Sequence, residues 1–221
     1  MNYFVIGDVH GCFRTFQQLL THWHPATEHL IQLGDLVDRG TGIVETVGLA
    51  VALSEKYPAT TTFLRGNHEA EMLHHFGPAG PSLHWPNWGG RSTISQYKTR
   101  PRQLAQHLAW LRTRPLIWEN DYLIASHAGL AASPHARDPD HPDGLLWTRA
   151  PLQRFPQLQV VGHTPTPDGR PHYHNLSHAY YLDTGACYGR TLTALRVSST
   201  AQVLEIVSVP TFAADLLPDQ N

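Results

Sequence analysis

Three short apolar segments in the first half of the chain each end in glycine beside a polar residue, and this repeated pattern constrains the fold most. They end in Gly7-Asp8-Val9-His10-Gly11, in Gly34-Asp35-Leu36-Val37-Asp38-Arg39-Gly40 and in Gly66-Asn67-His68-Glu69. Glycine lets a backbone turn sharply and approach a ligand closely. If the three segments are parallel strands, their ends meet at one edge of a sheet, where α/β folds bind ligands.

The spacing of apolar residues predicts strands that alternate with helices in the first half. Strands are predicted at 3–7, 30–33 and 61–64, and helices at 13–23 and 42–53, with a third helix through Met72 and Leu73. The second half predicts mainly short strands, at 115–118, 121–125, 158–161, 172–175, 179–182, 190–196 and 202–208. The pattern predicts an α/β fold of two packed mixed β-sheets flanked by helices.

The length of 221 residues predicts a single domain over residues 1–221. Glycine and proline make 77–90 irregular, and 102–112 has helical spacing, so we interpret 77–114 as an irregular and helical insertion over the site. The end of the chain, 210–221, is predicted to be a flexible tail.

Composition and charge limit the cellular location and the classes of partner that we expect. The formal net charge of -2 gives no broad positive field, so we expect no nucleic-acid partner. No apolar run is long enough for a membrane helix, and the first residues do not resemble a signal peptide. Two cysteines, Cys12 and Cys187, make no disulfide framework. A cytoplasmic location without membrane contact is the expectation, and the oligomeric state is left open.

The polar residues at the strand ends have the types and spacing of metal ligands. Asp8 and His10 are two residues apart, so in extended backbone their side chains point the same way. Asp35 has the matching position after the second strand, and its two carboxylate oxygens can bridge two cations. We therefore assign Asp8, His10 and Asp35 to one metal.

The second metal would draw on both halves of the chain. Asn67 offers an amide oxygen, and two apolar runs of the second half end in His127 and His163, each beside glycine. We assign Asp35, Asn67, His127 and His163 to this ion. Mixed nitrogen and oxygen ligands suit manganese, which we favour, and also iron, zinc, nickel or cobalt.

These motifs, in this order, resemble the metal-dependent serine/threonine phosphoprotein phosphatase family of the calcineurin-like metallophosphoesterase superfamily. The likeness is nearest to its small bacterial and bacteriophage members, of which lambda phosphatase is the best known. It runs from Gly7 to about Leu195 and includes Leu146-Trp147-Thr148-Arg149 and Leu182-Asp183-Thr184-Gly185-Ala186. The resemblance implies that the six ligands named above hold two divalent metal ions.

The resemblance also implies the roles of the remaining site residues. Arg39 and Arg149, together with Asn67, would bind the substrate phosphate. His68 would donate a proton to the leaving group, and Asp38 would hydrogen-bond this histidine. The implied reaction is hydrolysis of phosphoserine and phosphothreonine esters, with phosphotyrosine as a further option, by direct attack of a metal-bridging hydroxide. The partner would be a phosphorylated protein or a small phosphoester.

Other functions stay open at this point. The main alternative is a hydrolase of dinucleoside polyphosphates such as diadenosine tetraphosphate. The chain keeps both Asp38 and Glu69, which we interpret as favouring the phosphatase. A non-catalytic metal-binding interaction module ranks low because Arg39 and His68 are present, and a related nuclease is disfavoured by the near-neutral charge.

Several residues near the motifs have two interpretations. Trp85, Trp88 and Trp110 either pack in the core or form a substrate-facing wall. Asp183 either supports the site by hydrogen bonds or belongs to a turn, and Glu69 is expected to be structural rather than a ligand. The roles of His172, His174 and His178, which follow His163, are left undecided.

Overall fold

The computed structural model describes residues 1–218 of the chain. Its strands are β1 (Asn2–Ile6), β2 (Glu28–Gln32), β3 (Thr61–Phe63), β4 (Ile117–Glu119), β5 (Leu123–Ser126), β6 (Leu158–Val161), β7 (His172–His174), β8 (Ala179–Tyr181), β9 (Thr191–Val197) and β10 (Val203–Pro210). Its α-helices are α1 (Phe13–Leu20), α2 (Ile43–Lys56), α3 (Asn67–His75), α4 (Gly90–Tyr97) and α5 (Pro101–Arg112). Short 3-10 helices span Trp85–Trp88, Ala186–Tyr188 and Ala213–Asp215.

The strands form two mixed five-stranded sheets. The first has the order β10-β9-β1-β2-β3, and the second has the order β4-β5-β6-β8-β7. In the first sheet β1, β2 and β3 are parallel, with Phe4 opposite Leu30 in the register. In the second sheet β5, β6 and β8 are parallel. Each sheet therefore contributes three parallel strands, and this confirms the predicted fold.

An apolar layer joins the two sheets. Val5, Ile31 and Leu195 of the first sheet belong to the same buried cluster as Leu123 and Val160 of the second. Residues 3–6 of β1 form a continuous apolar run, as expected for a strand that is covered on both faces, whereas β2 is apolar only at Leu30 and Ile31. A second and larger cluster contains Phe4, Phe16 and Val47 and lies between the first sheet and its helices. No helix in residues 1–218 has the length and apolar character needed to cross a membrane.

Segment 77–114 is more helical than its composition indicates. The structure has a 3-10 helix at Trp85–Trp88 inside the predicted irregular stretch, and α4 follows it directly. α4 was not predicted, because its sequence begins with glycine and contains serine and threonine, which are weak helix formers. Tertiary contacts hold it, since Thr93 is completely buried.

Residues 211–218 differ from the predicted flexible tail. Asp215 is buried and its carboxylate accepts hydrogen bonds from the N–H groups of Arg14 (3.1 Å) and Thr15 (2.8 Å) and from the Thr15 hydroxyl (2.6 Å). Cys12 at the start of α1 gives the helix no side-chain cap, so Asp215 caps it from the other end of the chain. The rest of the predicted tail, 219–221, lies outside the described residues.

We predict that Asp215→Ala lowers the free energy of unfolding by about 1–2 kcal/mol, because α1 loses the acceptor for its first N–H groups. Urea unfolding followed by circular dichroism measures this difference. The matched control is Asp121→Ala, which removes an exposed aspartate. Equal stability of the two variants would mean that Asp215 does not cap α1.

Candidate active site

The predicted metal ligands lie where the parallel strands end. Asp8 follows β1, Asp35 follows β2 and Asn67 opens α3 just after β3. His127 and His163 follow β5 and β6 of the other sheet. All of these side chains, and that of His10, are buried. The packing of the two sheets thus brings residues that are up to 155 positions apart into one cluster.

Asp35 is at the centre of this cluster. Its Oδ2 lies 3.4 Å from His10 Nε2, 3.5 Å from His127 Nε2 and 3.8 Å from His68 Nε2. Two groups of donor atoms suit a metal ion, and both contain Asp35. One adds His10 and His68, and the other adds Asp8 and His127. Asp35 is common to both groups, and Asp8 groups with His127 rather than with His10.

Backbone carbonyl groups orient two of the histidines. His10 Nδ1 lies 2.8 Å from the Val37 carbonyl oxygen, and His127 Nδ1 lies 3.0 Å from that of Leu33. With Nδ1–H donating to the carbonyl, Nε2 of each ring directs a lone pair into the cluster. This is the usual arrangement of histidines that bind metals.

His163 is oriented in the opposite sense. Its Nε2 lies 3.2 Å from the Trp147 carbonyl oxygen, so Nδ1 is left without a proton and lies 3.0 Å from Asn67 Oδ1. His127 Nε2 lies 2.8 Å from the same Asn67 oxygen. The lone pairs of His163 Nδ1, His127 Nε2 and Asn67 Oδ1 therefore face one another. This arrangement is unfavourable without a cation between the three atoms.

The charges of the cluster also fit a cation. Burial, Asp183 and Asp35 raise the pKa of Asp8, and burial together with Asp35 raises the pKa of Asp183 to about 6. Burial opposes ionisation of Asp35, but His127 and the other histidines lower its pKa. Burial and His127 lower the pKa of His163 to about 3, so its ring stays neutral. Neutral imidazoles among crowded carboxylates are a donor set for divalent metals.

Two glycines make room for the carboxylates. A Cβ on Gly66 would collide with Asp35 Oδ1, and a Cβ on Gly162 would collide with Asp8 Oδ1. These two glycines are therefore needed for close packing against a carboxylate of another strand end.

Glu69 holds the loop that follows β2. Its carboxylate accepts hydrogen bonds from the N–H groups of Asp35 (2.7 Å), Leu36 (2.7 Å), Val37 (3.1 Å) and Gly66 (2.8 Å). Burial and Asp35 raise its pKa to about 7, and the N–H groups act in the opposite direction. Glu69 belongs to neither group of donor atoms and has the structural role that its position suggested.

His68 and Asp38 form a buried pair. His68 Nδ1 lies 2.5 Å from Asp38 Oδ2, and Asp38 also accepts hydrogen bonds from Trp85 Nε1 (2.7 Å) and Thr93 Oγ1 (2.5 Å). Burial disfavours charge on His68, but Asp35 and Asp38 raise its pKa above the usual value. Thr93 was not predicted as a site residue, and Trp85 was predicted only as core packing or a substrate-facing wall. No motif marks their contacts with Asp38, because both lie more than 45 residues from it in sequence.

The two predicted phosphate-binding arginines line a pocket of about 860 Å³ that opens on the cluster. Arg39 Nη1 lies 2.6 Å from His10 Nε2, and Nη2 lies 3.1 Å from His68 Nε2. Arg149 is exposed and donates to Thr164 Oγ1 at 3.1 Å. Their guanidinium groups can bind phosphate oxygens above the cluster.

The other histidines near His163 in sequence lie elsewhere. His172 and His174 are on β7 and line a separate cavity of about 220 Å³. His178 contacts the Phe155 carbonyl oxygen at 3.3 Å and lies edge-on to the Tyr173 ring. None of the three belongs to the groups of donor atoms in residues 1–218.

Comparison with known proteins places this geometry in a family. Residues 1–191 match the family model described as calcineurin-like phosphoesterase. The chain belongs to this family. Calcineurin-like phosphoesterases are metal-dependent hydrolases of phosphate esters, and the buried His and Asp cluster is a potential metal site.

Similar proteins within the family differ in their named activities. The chain is 29% identical to the asymmetrical bis(5'-nucleosyl)-tetraphosphatase PrpE of Anoxybacillus flavithermus, over 95% of this chain and 94% of that protein. A solved structure provisionally named a diadenosine tetraphosphatase has a TM-score of 0.67 at 20% identity, over 96% and 94% of the two chains. A protein serine/threonine phosphatase of Saccharomyces cerevisiae has a TM-score of 0.65 at 18% identity, over 96% and 80%.

These comparisons bear on the interpretation of Asp38 and Glu69. The presence of Asp38 and Glu69 was interpreted as favouring a phosphoprotein phosphatase over a dinucleotide hydrolase. In this calcineurin-like phosphoesterase, Asp38 orients His68 and Glu69 holds a loop. Both activities need an ordered site, so these two residues do not discriminate between them.

We predict that the purified protein binds about two divalent metal ions per chain and that Asp35→Asn binds fewer than one. The reason is that both groups of donor atoms share the Asp35 carboxylate. Mass spectrometry of metals after gel filtration gives the stoichiometry. Asp140→Asn is the control because Asp140 is exposed. Two ions bound to Asp35→Asn would rule out the shared position.

Proposed function

We propose that this calcineurin-like phosphoesterase hydrolyses dinucleoside polyphosphates of the diadenosine tetraphosphate type. The observation that carries the proposal is the 860 Å³ pocket, which is wider than one phosphate requires and has no aspartate or glutamate among its described lining residues. Such a pocket suits a long, highly charged anion. The tetraphosphatase relative that matches along nearly its full length supports the same substrate class.

The buried cluster would hold two metal ions, for which we propose manganese. Bound metals would act as Lewis acids and supply an activated water at neutral pH. Asp8, His10, Asp35, Asn67, His127 and His163 would hold the ions. Arg39 and Arg149 would neutralise the phosphoryl oxygens as charge develops on them, because guanidinium groups match that geometry.

His68 is proposed to donate a proton to the leaving group. Asp38 fixes Nδ1, so Nε2 is directed into the cluster and is the atom that would deliver the proton. Although burial and Arg39 act in the opposite direction, Asp35 and Asp38 raise the pKa of His68, and a raised pKa favours the protonated ring that a proton donor needs. The proton matters most for a leaving group that is a poor anion.

Phosphomonoester hydrolysis, including that of phosphoproteins, is the second candidate, and the Asp38–His68 pair favours it. A serine or threonine alkoxide needs protonation as it leaves, whereas the phosphate end of a nucleotide is a stable anion near neutral pH. The same site can thus serve both reactions, with different demands on His68.

We predict that the protein with Mn²⁺ cleaves diadenosine tetraphosphate asymmetrically, into ATP and AMP, with a higher kcat/KM than a phosphoserine peptide. Chromatography of the nucleotides identifies the products, and phosphate release gives the peptide rate. Two molecules of ADP would contradict the asymmetrical cleavage. A higher kcat/KM on the phosphopeptide would favour the second candidate.

We predict that His68→Asn reduces kcat on alkyl phosphates by about 10²–10⁴-fold, the usual size of general acid catalysis. The loss on p-nitrophenyl phosphate should be much smaller, because nitrophenolate leaves with little protonation. The measurement is kcat on both esters for the variant and the wild type. Equal losses would show that His68 acts in some way other than as a proton donor.

A further inference from the structure

One wall of the pocket is built by residues that the proposed reaction does not use. Pro86, Asn87, Trp88, Arg91 and Ser92 line it, and all come from the short segment 85–97. Trp88 is 47% exposed, which is unusual for so large an apolar side chain. The exposed indole therefore offers a free aromatic surface directly beside the phosphate-binding region.

The position of Trp88 is defined by its neighbours. Its ring lies 6.0 Å from that of His84 in a stacked arrangement at 19°, and 6.4 Å from that of Trp147 at 67°. Trp147 itself is held, since Nε1 donates to the Pro139 carbonyl oxygen at 3.0 Å and its own carbonyl oxygen contacts His163. A supported ring with one open surface is suited to stack on a flat ligand.

Arg91 places a third positive charge in the pocket. Its Nη2 donates to Asn87 Oδ1 at 2.8 Å, and none of the ion pairs of residues 1–218 includes it. Gly89 lies between Trp88 and Arg91, and its carbonyl oxygen accepts a hydrogen bond from Arg39 N at 3.4 Å. The indole and the third guanidinium therefore flank the residue that contacts the first phosphate-binding arginine.

We propose that Trp88 and Arg91 form a binding subsite for the nucleoside end of a polyphosphate chain. Trp88 stacks on the base, and Arg91 binds a phosphate beyond those held by Arg39 and Arg149. This subsite rests on the proposed dinucleotide activity and specifies how that substrate is recognised. A phosphoprotein chain has no such combination of a flat ring and several phosphates at a short distance.

The two residues can be tested separately with three substrates. Diadenosine tetraphosphate has both bases and phosphates, inorganic tripolyphosphate has phosphates only, and glycerol phosphate has a single phosphate. Trp88→Ala should raise the KM for diadenosine tetraphosphate about tenfold, the size typical of a lost base–aromatic contact. The KM for tripolyphosphate, which has no base, should rise much less. Trp88→Phe should restore most of the affinity. Arg91→Ala should lower kcat/KM on both polyphosphates more than on glycerol phosphate.

Matched controls are available on other surfaces. Tyr122→Ala removes an aromatic ring that is 49% exposed at the opposite end of β5, and Arg112→Ala removes an exposed arginine from the end of α5. Both controls should match the wild type on all three substrates. Circular dichroism and metal content of each variant exclude misfolding as the cause of a loss.

The outcomes separate the subsite from the proposed function. A wild-type protein that hydrolyses diadenosine tetraphosphate while Trp88→Ala has the same KM would overturn the subsite alone. Equal losses of Trp88→Ala on all three substrates would also overturn it. A wild-type protein that acts on glycerol phosphate but not on diadenosine tetraphosphate would overturn the proposed function and the subsite with it.

Discussion

Burial of the Asp35 carboxylate between the two sheets is the constraint on which the rest of the site depends. An ionised carboxylate in a protein interior needs compensating partners. His10 reaches it from the loop after β1, His127 from the end of β5 in the other sheet, and His68 from α3. These partners meet Asp35 only if both sheets place the carboxyl ends of their parallel strands at the same edge. The apolar layer between the sheets and the polar cluster therefore require the same packing.

The loops that carry the site are held in an unfavourable backbone conformation. His10, Asp35, Asp38, Arg39 and His163 all have φ between 47° and 74°, the left-handed region that residues other than glycine rarely adopt. Each such residue costs about 1–3 kcal/mol, so other contacts must offset the strain. Glu69 is the main one for the loop after β2, because it accepts three of that loop's N–H groups. By holding these N–H groups, Glu69 keeps the loop after β2 in its strained conformation.

The fold could be predicted from the sequence, and so could the residues that lie at the strand ends, because both depend on local patterns. Strand periodicity and Gly-Asp or Gly-Asn pairs are features of a few neighbouring residues, so they can be read without knowing any distant contact. The pairing of Asp8 with His127 could not be predicted, since it depends on the angle between the sheets. The contacts of Trp85 and Thr93 with Asp38, and of Asp215 with α1, were missed for the same reason. Their partners lie far away in sequence, and their residue types are common in cores and tails.

The contacts of Asp183 support the turn interpretation, and its charge also acts on Asp8. Its Oδ1 accepts a hydrogen bond from Gly185 N at 3.0 Å, as a turn residue does. Its carboxylate is also close enough to Asp8 to raise the pKa of that group. A motif alone could not separate these roles, because the turn is what positions the charge.

Segment 85–97 contributes both to the wall of the pocket and to the surroundings of the Asp38–His68 pair. Trp85 and Thr93 hold Asp38, while Trp88 and Arg91, which lie between them in sequence, line the pocket. The buried residues of the segment therefore fix the Asp38 carboxylate, and its exposed residues form the wall of the pocket. Because different side chains serve the two purposes, Trp88 and Arg91 can be changed without removing a hydrogen-bond donor from Asp38. Under the proposed function, this division lets substrate recognition vary while the proposed proton donor stays oriented.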